Sequence, residues 1–97
     1  MLSDLNGFDW DEGNHFKNWE KHSVSHLEAE QVFFNEPIIV YEDIKHSKEE
    51  SRWYVLGQTD NRRLWMVVFT VRGEKKVRII SARGMSRRER RMYEDEI

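Results

Sequence analysis

Two patterns of apolar residues divide the chain at Pro37. Before this proline, apolar residues recur every three or four positions, which is typical of helices. Residues 12–22 are predicted to form a first helix. A second helix is predicted to begin after Ser25, which forms a capping-box pattern with Glu28, and to run to about Phe34. The helix is expected to end there because proline cannot continue it and disfavours helical backbone one residue earlier.

After the proline, short runs rich in β-branched and aromatic residues indicate strands. The predicted strands are residues 38–41, 52–58, 64–71 and 75–82. The third of these runs is apolar on both faces, which favours a central position in a sheet. The polar segment 42–51 is predicted to be a loop. Because the connections are short, the strands are expected to form an antiparallel meander.

A last helix is predicted near the C-terminus. Ser86 and Glu89 form a second capping-box pattern, and the helix is expected to run to about Glu94. The sequence therefore predicts an α+β fold of order ααββββα, with two N-terminal helices, a four-stranded mainly antiparallel sheet and a C-terminal helix. At this length we expect a single domain over residues 1–97.

The distribution of charge is uneven, although the net charge is only −2. Residues 1–60 hold 5 Lys/Arg against 13 Asp/Glu, whereas residues 61–97 hold 11 against 5. Such halves can form one face for a polyanion, or they can neutralise each other in the fold. The chain has no cysteine, which excludes disulfides and thiolate chemistry and is compatible with the cytoplasm. No apolar run reaches about 20 residues, so no membrane segment is predicted.

The strand around residues 76–83 carries the most informative pattern. Arg78 lies within an apolar strand and Arg83 at its exit, while Arg52 begins the second predicted strand. An arginine beside a core requires an anion or a carboxylate as partner. These arginines could therefore bind phosphate, or each could pair with a carboxylate across the sheet.

The terminal helix continues this basic pattern. It carries Arg87, Arg88, Arg90 and Arg91. Such a run could bind nucleic acid, or it could simply keep a terminal helix soluble. Tyr93 could stack on a base, but it could also pack on the sheet together with Met92.

Four further residues are candidates for chemistry or phosphate binding. His46, in a charged loop, could transfer protons near neutral pH, or it could be a solvated histidine. Glu50 is a reserve acid or base, or the surface partner of Arg52. Lys21 and His22 could bind phosphate, or they could be ordinary cations at the end of a helix. The histidine spacing fits no metal-site motif, so neither a metal nor another cofactor is expected.

An ordered set of motifs along nearly the whole chain resembles the BrnT family of toxins from bacterial toxin–antitoxin pairs. The motifs are Phe8-Asp9-Trp10-Asp11, Asn18-x-x-Lys21-His22-Ser23-Val24-Ser25, Glu28-Ala29, Val32-Phe33, Asp43-x-x-His46-Ser47, Glu50-x-Arg52-Trp53-x-x-Leu56-Gly57, Val77-Arg78-Ile79-Ile80-Ser81-Ala82-Arg83 and Arg87-Arg88-Glu89-Arg90-x-x-Tyr93. The resemblance implies a RelE-like ribonuclease fold and an endoribonuclease that arrests growth. It also implies a ribbon-helix-helix antitoxin similar to BrnA, through which operator DNA would be bound.

Charge type and this resemblance together suggest roles in metal-independent RNA cleavage. We expect Arg78 and Arg83 to stabilise the transition state, with support from Arg52. His46 is expected to act as acid or base, with Glu50 in reserve. The residues expected to hold the RNA are Lys21, His22, Arg87, Arg88 and Tyr93. The alternative is a module of the same fold that binds nucleic acid or protein without chemistry.

Overall fold

The computed structural model describes residues 7–8, 26–46 and 50–96. In chain order, its regular elements are α1 (His26–Gln31), β1 (Ile39–Glu42), β2 (Arg52–Gln58), β3 (Leu64–Arg72), β4 (Lys76–Gly84) and α2 (Arg87–Glu94). Single turns of 3₁₀ helix follow β1 at Ile44–His46 and β3 at Gly73–Lys75. The α+β fold with a four-stranded sheet and a C-terminal helix is thus confirmed, and the predicted helix over residues 12–22 lies outside the described residues.

The four strands form one sheet in the order β1-β2-β3-β4, and every neighbouring pair is antiparallel. This is the meander that the short connections predicted. β3 is central, and its apolar residues are buried on both faces of the sheet because each face is covered by a different part of the chain.

Helix α1 ends earlier than the sequence predicted. It stops at Gln31, and the expected last turn to Phe34 is replaced by tighter turns. The amide of Asn35 donates a 3.2 Å hydrogen bond to the carbonyl of Gln31 and a 3.1 Å bond to the carbonyl of Gln58. The side chain thereby satisfies a helix carbonyl and ties the helix end to the sheet, which a local capping pattern cannot reveal.

Two apolar clusters cover opposite faces of the sheet. On the first face, α1 packs on the strands, and the buried residues are Ala29, Val32, Phe33, Val55, Trp65, Val67, Phe69, Val77, Ile79 and Ala82. On the second face, α2 and the segment before it cover one end of the sheet, and the buried residues are Leu56, Met66, Met85 and Tyr93. Among the described residues, the second cluster is the smaller of the two, and the candidate site lies on its face of the sheet.

A β-bulge in β4 sets the direction of the side chains that follow it. Val68 pairs with Ser81 and its neighbour Phe69 pairs with Ile79, so Ile80 is the extra residue. Ile79 and Ala82 are three positions apart, yet both are buried in the first cluster. Regular alternation would have placed them on opposite faces. The bulge therefore reverses the alternation between the two halves of β4.

Gly57 allows the turn that follows α1 to lie close to the sheet. A β-carbon added at this position would lie 2.8 Å from the carbonyl oxygen and 3.1 Å from the β-carbon of Val32. We expect Gly57→Ala to lower the free energy of unfolding by about 1–3 kcal/mol, because the backbone at Val32 must move away from the strand. Urea denaturation measures this change. Gly84→Ala is the control, since its added carbon would meet only Trp65 at 4.0 Å; equal stability of the two variants would contradict the expectation.

Candidate functional site

Three arginines from two strands lie on the second face of the sheet. Arg52 precedes Trp53, which packs on the first face, and Arg78 lies between Val77 and Ile79, which are buried there. Both arginines therefore belong to the opposite face. Arg83 also belongs to it, because its partner across the strands is Met66, a residue of the second cluster. We call this surface the arginine face, defined by Arg52, Arg78 and Arg83.

The bulge is what brings Arg78 and Arg83 to the same face. The two residues are five positions apart, and an odd spacing in a regular strand places side chains on opposite sides. The extra residue at Ile80 shifts the alternation of side chains by one position, so residues five apart across the bulge in β4 lie on the same face. That these two arginines share a face thus depends on a local irregularity, and the register keeps them four residues apart along β3, with Arg83 opposite Met66 and Arg78 opposite Thr70.

The arginine face is organised in rows across the strands. One row consists of Arg52, Thr70 and Arg78, so the two arginines flank a threonine. Two strand spacings put their Cα atoms about 10 Å apart. Thr70 is buried and its hydroxyl donates a 2.6 Å hydrogen bond to the carbonyl of Ser51. The threonine therefore links this row to the segment that enters β2.

Arg83 is already engaged by a carboxylate. Its two terminal nitrogens donate bonds of 2.8 and 2.9 Å to the two oxygens of Glu89, and one of them also donates to the carbonyl of Gly84 at 3.0 Å. The guanidinium is thus not free to bind phosphate in the way the sequence analysis expected. Since a bidentate pair fixes the plane of an arginine, the expectation must be revised: Arg83 is held on α2, with 40% of its side chain exposed.

Glu89 has two structural roles at the start of α2. Besides binding Arg83, it accepts a 2.8 Å hydrogen bond from the backbone of Ser86, whose hydroxyl accepts one from the backbone of Glu89 at 3.2 Å. The predicted capping box is therefore confirmed. Burial acts to raise the pKa of Glu89, but the bonds from Arg83 and Ser86 outweigh it, and the pKa lies below its ordinary value.

The lowered pKa of Glu89 predicts a loss of stability in acid. A carboxyl whose pKa is lower in the folded state stabilises the fold above its unfolded pKa of about 4.3, and this contribution disappears as the pH falls through the folded pKa. Between pH 7 and pH 3 we therefore expect the wild type to lose more free energy of unfolding than Glu89→Gln, which keeps a capping acceptor. Urea denaturation at both pH values measures the difference. Glu94→Gln, an exposed change on the same helix, is the control; a wild type and Glu89→Gln with the same pH dependence would refute the role.

A cleft of about 350 Å³ lies between the arginine face and α2. Its lining is formed by Tyr41, Tyr54, Arg83, Ser86, Arg88, Glu89 and Met92. The rings of Tyr41 and Tyr54 are in contact, with centroids 5.0 Å apart and planes inclined by 42°. Both rings are half-buried. The cleft thus combines two aromatic rings with the cation of Arg88 and the ion pair of Arg83 with Glu89.

The pKa of each tyrosine of the cleft lies above its ordinary value. Burial is the main cause that raises the pKa of Tyr54, followed by its hydrogen bond to the carboxylate of Asp43, which is itself buried. Burial also raises the pKa of Tyr41, with the negative charge of Glu89 acting in the same direction. A tyrosine with its ordinary pKa of about 10 is already uncharged at neutral pH, so both rings present uncharged aromatic surfaces there.

The predicted RNA-binding residues of α2 have different positions relative to the cleft. Arg88 lines the cleft, whereas Arg87, one residue earlier, is exposed and is absent from the lining. Tyr93 is fully buried, and its hydroxyl donates a 2.7 Å hydrogen bond to the carbonyl of Pro37. The expectation that Tyr93 stacks on RNA is wrong for this structure, because its ring is buried against the sheet, which was the alternative.

The structure gives less information on the acid–base candidates and on the remaining phosphate-binding candidates. His46 ends the 3₁₀ turn after β1, at the same end of the sheet as Arg52, and its side chain lies outside the described part. The carboxylate of Glu50 is exposed and lies 3.7 Å from a nitrogen of Arg72. Lys21 and His22 lie outside the described residues. Among the residues that the structure describes, no group of three histidine or acidic side chains is arranged to hold a metal ion.

Three residues of the cleft escaped the sequence analysis. Tyr41 and Tyr54 occupy adjacent strands in direct register, and Glu89 was interpreted only as a helix cap. Knowledge of the register between β1 and β2 would have revealed the tyrosine pair, since Tyr41 lies directly opposite Tyr54 on the same face of the sheet. Nothing local in the sequence indicates the bond between Arg83 and Glu89.

Comparisons with known proteins agree with this architecture. A family model described as "Ribonuclease toxin, BrnT, of type II toxin-antitoxin system" matches residues 10–89, which is most of the chain. The chain therefore belongs to the BrnT family of ribonuclease toxins. Such membership implies RNA as substrate and a protein antitoxin as partner. The resemblance inferred from the sequence motifs is confirmed.

The fold is similar to that of a solved member of the family. The crystal structure of the ribonuclease toxin BrnT from Brucella abortus superposes with a TM-score of 0.62 at 22% sequence identity, covering 84% of this chain and 97% of that one. At this identity the likeness concerns the fold alone. No curated protein matches the sequence. Within the described residues, no helix is long and apolar enough to cross a membrane.

Proposed function

We propose that this BrnT-family chain is a metal-independent endoribonuclease of the cytoplasm that arrests growth. Its inhibitor would be a ribbon-helix-helix antitoxin similar to BrnA, and operator DNA would be bound only through that complex. The observation that carries the proposal is the arginine face, where arginines from two strands share one face of the sheet with a cleft lined by Arg83 and Arg88. RNA cleavage needs such preorganised positive charge where negative charge develops.

The proposed reaction is an attack by the 2′-hydroxyl of a ribose on the adjacent phosphorus. The bond from phosphorus to the 5′-oxygen breaks, leaving a 2′,3′-cyclic phosphate and a 5′-hydroxyl. One group must accept the proton of the 2′-hydroxyl, and another must give a proton to the leaving oxygen. His46 is the candidate for one of these steps, with Glu50 in reserve.

The cations would act on the phosphate in two ways. Arg78, with support from Arg52 in the same row, would stabilise the negative oxygens in the transition state. Arg83 would act from its bond with Glu89, where the three bonds described above leave two of its five N–H groups for a ligand. Arg88 would hold the RNA from α2 together with Arg87 on the outer side, and Lys21 and His22 would flank the path.

One assay tests the reaction directly. Purified protein is incubated with RNA in the presence of a chelator, and the fragments and their ends are analysed. Discrete fragments that carry cyclic phosphate and 5′-hydroxyl ends are expected. Intact RNA with the chelator and cleaved RNA with a divalent ion would contradict metal independence.

The second candidate function is a module that binds RNA or protein without chemistry. The observation that favours it is the bidentate pair of Arg83 with Glu89, which neutralises one of the three arginines. Intact RNA under all conditions, together with a mobility shift that weakens steeply with salt, would support this alternative.

A further inference from the structure

We propose that the cleft between α2 and the sheet is a binding subsite for one unpaired nucleobase, which stacks on Tyr41. This inference rests on the proposed function, since it concerns the same RNA. It assigns the substrate class as single-stranded RNA. It also replaces Tyr93, which is buried, with a tyrosine that the sequence analysis did not consider.

The aromatic floor of the cleft has the properties of a stacking platform. Tyr41 and Tyr54 contact each other at a centroid separation of 5.0 Å, and Tyr54 is also tied to the buried carboxylate of Asp43. A ring fixed in this way loses little conformational entropy when a ligand binds. Bases stack on tyrosine irrespective of their identity, because every base has a π-face.

The cations around the cleft are positioned for the backbone of the same nucleotide. Arg88 and Arg83 both line the cleft, and the bonds of Arg83 to Glu89 and Gly84 leave two of its five N–H groups for a ligand. Along the strands, the row that contains Tyr54 is followed two residues later by the row of Arg52 and Arg78. That step is about 6.8 Å, so a base in the cleft would leave its neighbouring phosphate near the arginine face.

Double-stranded RNA does not fit this arrangement. Its bases are stacked on one another inside the helix, and their π-faces are closed to side chains. The cleft is about 350 Å³ and is bounded on one side by α2. Only a base that has left its stack can lie on Tyr41 while its backbone contacts the arginines.

The test uses binding, with cleavage blocked. A fluorescein-labelled ten-nucleotide pool of random sequence, fully 2′-O-methylated, cannot undergo attack by a 2′-hydroxyl. A ribose–phosphate oligomer of the same length without bases keeps the phosphates. Fluorescence anisotropy gives the affinity of the full-length protein for both, at several salt concentrations. Wild type is expected to bind the pool about 5- to 100-fold more tightly than the abasic oligomer.

Two variants of one residue isolate stacking. Tyr41→Phe keeps the ring and should keep the preference for bases, whereas Tyr41→Ile keeps a strand-forming apolar residue and should abolish most of it. The salt dependence should stay the same in all three proteins, because it reports phosphate contacts. Circular dichroism confirms that the variants are folded.

The results separate this inference from the proposed function. An isoleucine variant that still prefers bases, a wild type that binds both oligomers equally, or equally tight binding of a 2′-O-methyl duplex would each overturn the subsite. If the base preference depends on Tyr41 but wild type never cleaves unmodified RNA, the subsite stands and the nuclease proposal fails.

Discussion

Arg78→Ala is expected to reduce the rate of RNA cleavage by about 10²- to 10³-fold, the usual cost of removing one preorganised group that stabilises charge in a transition state. Arg78 is half-buried on the arginine face, in one row with Arg52 and Thr70. Arg78→Lys should recover only part of the rate, because an ammonium cannot bind two phosphate oxygens in the planar geometry of a guanidinium. Single-turnover cleavage of a labelled RNA measures both variants.

The matched control for this change is Arg91→Ala. It removes the same charge from α2, but Arg91 lies about 200° around the helix from the buried Tyr93 and is exposed. Its cleavage rate should stay within about twofold of wild type, as general electrostatic attraction is screened at physiological salt. Thermal denaturation excludes misfolding of either variant. If Arg78→Ala cleaves at the parental rate, the assignment of the arginine face as the catalytic surface is lost.

Local patterns were sufficient for the sheet and for α2. The runs of β-branched residues predicted β2 with its observed bounds Arg52–Gln58, and the pattern of Ser86 and Glu89 predicted the start of α2. Such features depend on neighbours in sequence, since strands need alternating or continuous apolar residues and helix ends need a side-chain acceptor. Short connections then left the meander as the simplest topology.

The site could be predicted only in part, because its geometry depends on contacts between distant residues. The choice of Arg52, Arg78 and Arg83 was based on charge type. Arg78 and Arg83 share a face because of the bulge at Ile80, and no residue pattern in the sequence predicts this bulge. The pairing of Arg83 with Glu89 needs α2 to fold back on β4. A charge pattern alone cannot distinguish a free cation from a paired one.

Tyr93 is a second case in which contacts between distant residues decide the role of a side chain. The sequence places it on a basic helix, where a stacking role and a packing role are equally compatible with its neighbours. The sheet decides between them, because Leu56 and Met66 need a cover at this end of the second face, and Tyr93 completes their cluster. An aromatic residue on a cationic helix is therefore weak evidence for nucleic-acid contact until its burial is known.

Tyr93→Ala is expected to lower the free energy of unfolding by about 3–5 kcal/mol, the cost of removing a large buried aromatic side chain. Domains of this size have a total stability of about 5–15 kcal/mol, so the variant should be largely destabilised at 37 °C. Because Tyr93 is fully buried and joins α2 to Pro37, the loss should release α2 from the sheet. Urea denaturation, followed by circular dichroism, measures the change.

Tyr93→Phe separates packing from hydrogen bonding. It keeps the ring but leaves the carbonyl of Pro37 without its 2.7 Å donor, and the expected cost is about 1–2 kcal/mol. Met92→Ala is the control on the same helix, since 42% of this residue is exposed and its change should cost less than about 1 kcal/mol. A Tyr93→Ala protein as stable as Met92→Ala would mean that α2 is not anchored through this residue. The wall of the cleft would then need another support, because Arg88 and Glu89 reach it only while α2 stays on the sheet.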